Sequence, residues 1–204
     1  MFISSCSEVK FQHNPFQGLT PSEIERAIVP RKEIKAVAQD IQLQKPTIIQ
    51  FCGKKGRGKT THLTFLHQYF SQHPMWFLNR GDRPNLKDTK VLFIDSIHPL
   101  SFTQRQRLYR SIPTIVLTTH HNRWYEFKIA KRSYQTIYFR GLQLADLMII
   151  LNQRLQLAVS PNDAKPVTFD TQFAAQLLRQ YGDNLRGIIN HLYDQFEEQY
   201  GGSY

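Results

Sequence analysis

Between residues 47 and 139, short and almost wholly apolar runs alternate with amphipathic stretches. The runs at 47–52 (Thr47-Ile48-Ile49-Gln50-Phe51-Cys52), 75–78, 91–95 (Val91-Leu92-Phe93-Ile94-Asp95), 114–117 and 135–139 have the length and the β-branched or aromatic content of strands. The runs at 91–95 and 114–117 lack the apolar–polar alternation of a half-exposed sheet, which marks fully buried strands. Between the five runs, residues 60–70, 101–110 and 121–132 read as helices. Strands alternating with helices predict a three-layer α/β core over 46–140 built on a parallel sheet.

The flanks follow other patterns. Residues 1–20 read as irregular, broken by Asn14-Pro15 and Gly18. Thr20, Pro21 and Glu23 have the spacing of a helix cap, first-turn proline and capping-box acid. The helix they start is expected to reach residue 28, where Pro30 interrupts. A second helix over 31–43 places Ile34, Val37, Ala38 and Ile41 on one face, and Lys45-Pro46 ends it. Residues 1–45 are thus expected as an irregular and helical N-terminal segment. Beyond Gly141 the strand signal stops, apart from a short Val167-Thr168-Phe169. Helices are predicted over 142–158, 170–181 and 184–199, so 141–204 reads as a small helical subdomain. A polar loop over 79–90 contains Gly81, Pro84 and four basic residues, and Ser160 to Pro166 separates two of the later helices. There is no internal repeat.

Composition changes this picture little, and charge changes it more. Hydrophobic residues make up 41% of the chain, and no apolar run approaches the ~20 residues of a membrane span. The first residues lack a basic stretch followed by a long apolar one, so no secretion signal is expected. Cys6 and Cys52 are the only cysteines and lack metal-ligand spacing, which points to a reducing compartment, by default the cytoplasm. The net charge of +10 is uneven: +5 over residues 1–73, +8 over 74–140 and −3 over 141–204. A basic middle third invites a polyanion.

Gly53-Lys54-Lys55-Gly56-Arg57-Gly58-Lys59-Thr60 fits G-x-x-x-x-G-K-[ST] at every fixed position, after a predicted strand and before a predicted helix. Glycines permit the backbone angles that turn successive N–H groups toward one anion, and the helix start adds its positive end. Lys59 is expected to reach the β- and γ-phosphates of ATP, Thr60 to ligate Mg²⁺ through its hydroxyl, and Thr61 to bond the α-phosphate. Asp95, closing an apolar strand, is the expected acidic partner of the metal.

The next position is Ser96, where many ATPases of this kind carry a glutamate as general base. A serine hydroxyl is far too weak a base for that proton transfer. His98 lies nearby as a residue able to orient water. The polar end of the 114–119 strand, Thr118-Thr119-His120, is expected near the γ-phosphate, with Thr119 favoured as the contact. Binding is therefore better supported than rapid hydrolysis.

The order of these features resembles the AAA+ ATPases (ASCE class), and in particular small initiator, loader and transposition-regulator ATPases. Ile28-Val29-Pro30-Arg31-Lys32-Glu33-Ile34 looks like the family segment that packs on adenine, with Pro30 where glycine is common. The resemblance implies nucleotide contacts from Val29 and Arg31. Gly182-Asp183-Asn184-Leu185-Arg186 is similar to the start of the family's lid helix, which gives Arg186 the γ-phosphate-sensing role. Two departures stand out: Ser96 in place of glutamate, and no clear arginine finger, for which Arg132 and then Arg123 are candidates. The resemblance implies a five-stranded sheet of order 5-1-4-3-2, a C-terminal helical lid and ring or filament assembly.

Residues 101–110 and 120–132 mix arginine, lysine and aromatic side chains, which suits nucleic acid, DNA more than RNA, through phosphate neutralisation and base stacking. No helix-turn-helix or zinc module accompanies them. Three readings follow: an ATP switch acting with nucleic acid or a nucleoprotein assembly, as a homo-oligomer or with a protein partner; a non-hydrolysing, nucleotide-gated adaptor; and a P-loop kinase of a small molecule.

Overall fold

The computed structural model describes residues 3–4, 9–79, 89–160 and 167–200. The polar loop expected over 79–90 and the separator over 160–166 fall mostly outside these residues, as does Cys6. The chain divides into two compact units, one of residues 1–29 and 140–204, the other of residues 30–139.

The 30–139 unit is built on five parallel strands: β2 (Ile48–Cys52), β3 (Met75–Phe77), β4 (Val91–Asp95), β5 (Thr114–Thr119) and β6 (Tyr134–Tyr138). Their order is β3-β4-β5-β2-β6, the order 5-1-4-3-2 read from the opposite edge. β2 lies between β5 and β6, with Cys52 opposite both Thr119 and Tyr138. It is the strand at which the chain's progress across the sheet reverses, and such switch points carry the ligand crevice at the C-terminal ends of the strands. Every residue of β2 and β5 is buried, as is β4 up to Ile94. This explains their unbroken apolar runs. On the edge strand β6 only Ile137 is buried.

Helices α2 (Ile34–Gln42), α3 (Lys59–Gln68), α4 (Phe102–Ser111) and α5 (Trp124–Ile129) belong to the same unit. Sheet residues Ile48, Leu92, Ile94, Ile115 and Leu117 pack with Leu108 and Tyr109 of α4, with Ile112 just after it, and with Phe127 of α5 in one cluster. Each such fully buried side chain contributes about 2 kcal/mol through the water it sheds. Helix α4 begins with a complete capping box, Ser101 and Gln104 bonding each other's backbone N–H. Helix α5 is shorter than the 121–132 expected from its pattern. Asn122 instead supplies its side-chain oxygen to the Trp124 N–H at 3.0 Å, so the chain turns there before the helix starts.

The other unit holds α1 (Pro21–Ala27), α6 (Leu144–Ala158), α7 (Thr171–Tyr181) and α8 (Leu185–Tyr200). Helix α1 has the full Thr20–Glu23 capping box that the spacing indicates. Residues 1–20, read as irregular, are not wholly so. Ile3–Ser4 forms β1, antiparallel to β7 (Thr168–Phe169), and Phe11 bridges Val159. These pairings join residues more than 140 positions apart, which local pattern cannot reveal. Ile3, Phe11 and Phe16 bury themselves with Leu151, Leu192 and Phe196 in the helical core. Asn14, a turn breaker in sequence, is 3% exposed and donates to Glu197 Oε1 at 2.7 Å. Arg154 donates to the carbonyls of Pro15 and Gln17, and burial brings its pKa down to about 10. Among the described residues no helix is long and apolar enough to cross a membrane.

Candidate nucleotide-binding site

The loop from Gly53 to Gly58 leaves the C-terminal end of β2 and runs directly into α3. Gly56 and Gly58 have φ of 85° and 78°, a left-handed region that side chains with a β-carbon rarely enter. Gly53 is constrained by space instead: a β-carbon there would lie 2.5 Å from the Phe139 carbonyl oxygen. The loop thus passes against the end of β6, and Arg57 donates to the same carbonyl at 3.3 Å. Lys54 and Lys55 are exposed at its tip. Lys59 is only 7% exposed and folds back to donate from Nζ to the Lys54 carbonyl at 2.8 Å, so the loop curls around a buried ammonium. Thr61 is half-buried in the first turn of α3.

Thr60, beside Lys59, donates its hydroxyl to the Asp95 carboxylate, 3.0 Å from Oδ1 and 3.2 Å from Oδ2. The parallel sheet creates this meeting, because β2 and β4 both end at the same edge with β5 between them. A hydroxyl and a carboxylate at the start of a phosphate-binding helix are the hard oxygen donors that Mg²⁺ takes alongside phosphate oxygens and water. Among the described residues no group of three His, Cys, Asp or Glu could hold a metal ion.

The strand β5 supplies two neighbouring threonines with different surroundings. Thr118 Oγ1 donates to Asp95 Oδ1 at 2.8 Å and accepts the Ser96 N–H at 2.8 Å. Thr119, the residue favoured from sequence, is 1% exposed, and its hydroxyl donates to Gln50 Oε1 at 3.2 Å. Successive side chains of a strand point to opposite faces, so only one of the two faces Asp95. Thr118 was within the polar triplet read from sequence, but its pairing with Asp95 depends on the register between β4 and β5.

Ser96 has a φ of 62°. A non-glycine residue in this region costs about 1 kcal/mol or more, here offset by the bond from its N–H to Thr118. Its position is therefore set by backbone shape as well as by chemistry. His98 lies two residues on. Its Nε2 accepts the His120 N–H at 3.0 Å, and its ring stacks on that of His120 with centroids 4.6 Å apart. Burial, then the nearby charges of His120, Arg123, His121 and Arg105, lowers its pKa to about 4, so the ring is neutral at pH 7.

Arg31 is tied to the phosphate-loop helix. Its N–H donates to His62 Nε2 at 3.4 Å, while His62 Nδ1 bonds the Gly58 carbonyl at 2.9 Å. Its guanidinium lies over the Phe139 ring, 4.8 Å from the centroid. His62 was not singled out by the sequence, although its place four residues after Gly58 is the spacing of one helical turn. Val29 and Arg186 belong to the helical unit, where Val29 is half-buried and Arg186 is exposed in the first turn of α8.

Neither arginine-finger candidate has an idle guanidinium. Arg132 donates to the carbonyls of Tyr109, Ile112 and Pro113, closing the C-terminal end of α4. Arg123 donates to Glu126 Oε1 at 2.5 Å, and its other terminal nitrogen lies 3.1 Å from His98 Nδ1. Glu126, fully buried, also receives Arg105 through bonds of 2.8 and 2.9 Å. Burial works to raise its pKa, but the two arginines prevail and hold it below the usual carboxylate range.

No protein-family model matches the chain, and no curated protein matches it in sequence. Its fold does match solved structures. Domain III of the replication initiation protein DnaA from Thermotoga maritima superposes with a TM-score of 0.56 at 14% identity, covering 92% of this chain and 94% of that domain. A DNA replication initiation factor superposes with a TM-score of 0.59, also at 14% identity, covering 91% of this chain and 67% of the other. With the strand order and the loop geometry, these likenesses show that the chain has a P-loop α/β fold like that of DnaA domain III.

Proposed function

We propose that this chain is an AAA+-like switch that binds ATP with Mg²⁺ and works with nucleic acid or a nucleoprotein assembly. The observation that carries the reading is the Thr60–Asp95 pair, 3.0 Å apart, at the end of a glycine loop curled around Lys59. In this reading the loop N–H groups and Lys59 hold the β- and γ-phosphates, and Thr61 supports the α-phosphate. Thr60 and Asp95 would hold Mg²⁺, which neutralises charge on the phosphate oxygens. Thr118, bonded to Asp95, keeps that carboxylate oriented. The γ-phosphate-sensing role of Arg186 and the adenine-side roles of Val29 and Arg31 are part of the same proposal and rest on the sequence resemblance. The two structural relatives are replication initiators, which supports a nucleic-acid role for this chain as well. The experiment is ATP binding followed by DNA retention at rising salt. ATP-dependent retention that falls steeply with salt is expected; absence of any nucleotide-dependent association at low salt would remove the nucleic-acid half of the proposal.

A second reading, a nucleotide-gated adaptor without hydrolysis, is favoured by Ser96. It puts no general base after Asp95, and its φ of 62° sets an unusual backbone there. This reading expects tight ATP binding and negligible turnover with DNA present. Turnover at ordinary ATPase rates, on the order of 1 per second or faster, excludes it.

A further inference from the structure

Helices α4 and α5 enclose a surface groove of about 490 Å³, walled by Phe102, Arg107 and Arg110 on one side and Ile129 on the other. Two large apolar side chains, Phe102 and Ile129, remain 44% and 51% exposed there. Arg107 and Arg110 are exposed, and Arg110 reaches across to the Ile129 carbonyl at 3.5 Å, linking the two walls. No carboxylate lines the groove. The only acidic residue between 101 and 132 is Glu126, fully buried and held by Arg105 and Arg123, against seven basic residues in the same stretch. The groove thus combines exposed apolar side chains with two exposed arginines, while the local anion, Glu126, is turned inward. Gln106 in the wall keeps a buried Oε1 without a hydrogen-bond partner.

We propose that this groove docks an acidic amphipathic segment of a partner protein, its apolar side chains on Phe102 and Ile129 and its carboxylates on Arg107 and Arg110. The helix-in-groove mode of peptide recognition lays the apolar face of an amphipathic helix into an apolar groove, and the two arginines here match acidic residues beside that face. A nucleic-acid strand fits the site less well. Its flat bases need successive ring faces for stacking, and the groove offers one ring and one aliphatic side chain. The proposal does not depend on nucleotide binding, since no residue of the phosphate loop lines the groove.

The test uses the full chain and a fluorescein-labelled 16-residue peptide of glutamates with Leu and Phe at i, i+3, i+4 and i+7, read by anisotropy. Controls are the same peptide with Lys for Glu, an all-Glu peptide, and a 20-nucleotide single-stranded DNA. The acidic amphipathic peptide is expected to bind at least tenfold more tightly than either peptide control. Both Ile129→Asp and the double variant Arg107→Glu/Arg110→Glu are expected to weaken it about tenfold or more. The double variant Arg107→Lys/Arg110→Lys is expected to retain most of the binding. Circular dichroism identifies any variant that does not fold; the lysine pair and the peptide controls then decide the outcome. Equal binding of the three peptides, or binding unchanged in the folded groove variants, overturns the proposal. Displacement by DNA, or self-association of the chain lost in the same variants, also overturns it and assigns the face to that occupant.

Discussion

The 30–139 unit handles positive charge in two opposite ways. At the phosphate loop, Lys54 and Lys55 are exposed, Lys59 donates to the Lys54 carbonyl, and Asp95 accepts the hydroxyls of Thr60 and Thr118. Between α4 and α5, Arg105 and Arg123 converge on Glu126 inside the protein. The first arrangement turns Lys54 and Lys55 to solvent, where an anion from outside can meet them; the second brings its anion with it. A count of lysines and arginines cannot separate the two. What separates them is whether a carboxylate is buried within reach.

Breaking the internal pair should produce the largest change in stability. Glu126→Ala leaves two half-buried guanidiniums opposite an empty site, and a loss of about 3 kcal/mol is expected from chemical denaturation. Nucleotide affinity of the folded fraction should change less than twofold; a larger change would mean that the two regions are coupled. The reverse pattern is expected for Lys59→Ala. Loss of a charge-assisted contact should weaken ATP binding by about 100-fold, near 2.7 kcal/mol, by calorimetry. Asp95→Asn should remove the tightening of ATP by Mg²⁺ while leaving metal-free binding nearly intact.

Gly53→Ala tests whether the loop depends on its approach to β6. Its β-carbon would meet a backbone oxygen at 2.5 Å, so a stability loss of about 2 kcal/mol is expected, together with weaker ATP binding. The smallest effect concerns His98. Its folded pKa, about 4, lies below the ordinary value of 6.5, so the unfolded chain binds its proton first. Stability from this group is complete above pH 6.5 and falls as the pH drops from 6.5 toward 4. His98→Gln should flatten the melting-temperature profile across that window and leave it unchanged above pH 7. An unaltered slope would show that His98 is not what titrates.

Much of the sheet unit was legible because its information is local. Five runs announced five strands, of which the three central ones are buried, and in the other unit Thr20 with Glu23 announced a capped helix that forms as spaced. The phosphate loop was legible for the same reason: glycine positions and a Lys-Thr pair act within eight residues. The site's remaining features depend on pairing between distant segments. Whether Thr118 or Thr119 faces Asp95 is decided by the pleat and register of β5 against β4. That His62 joins Arg31 to the phosphate loop is decided by how the 31–33 turn packs on α3. The basic helices read as one charged region, yet Arg105, Arg123 and Arg132 face inward partners while Arg107 and Arg110 face solvent.

The sequence by itself determined the order of strands and helices, the glycine loop at the end of the first core strand, and the acidic end of another. Those features depend on hydrophobic periodicity and on backbone angles that only certain residues allow. Tertiary structure decided which groups meet: Thr60 with Asp95, Glu126 with two arginines, and Ile3 with Phe169 across almost the whole chain. Hydrogen bonds and ion pairs act over about 3 Å, and only the folded backbone brings such distant positions that close.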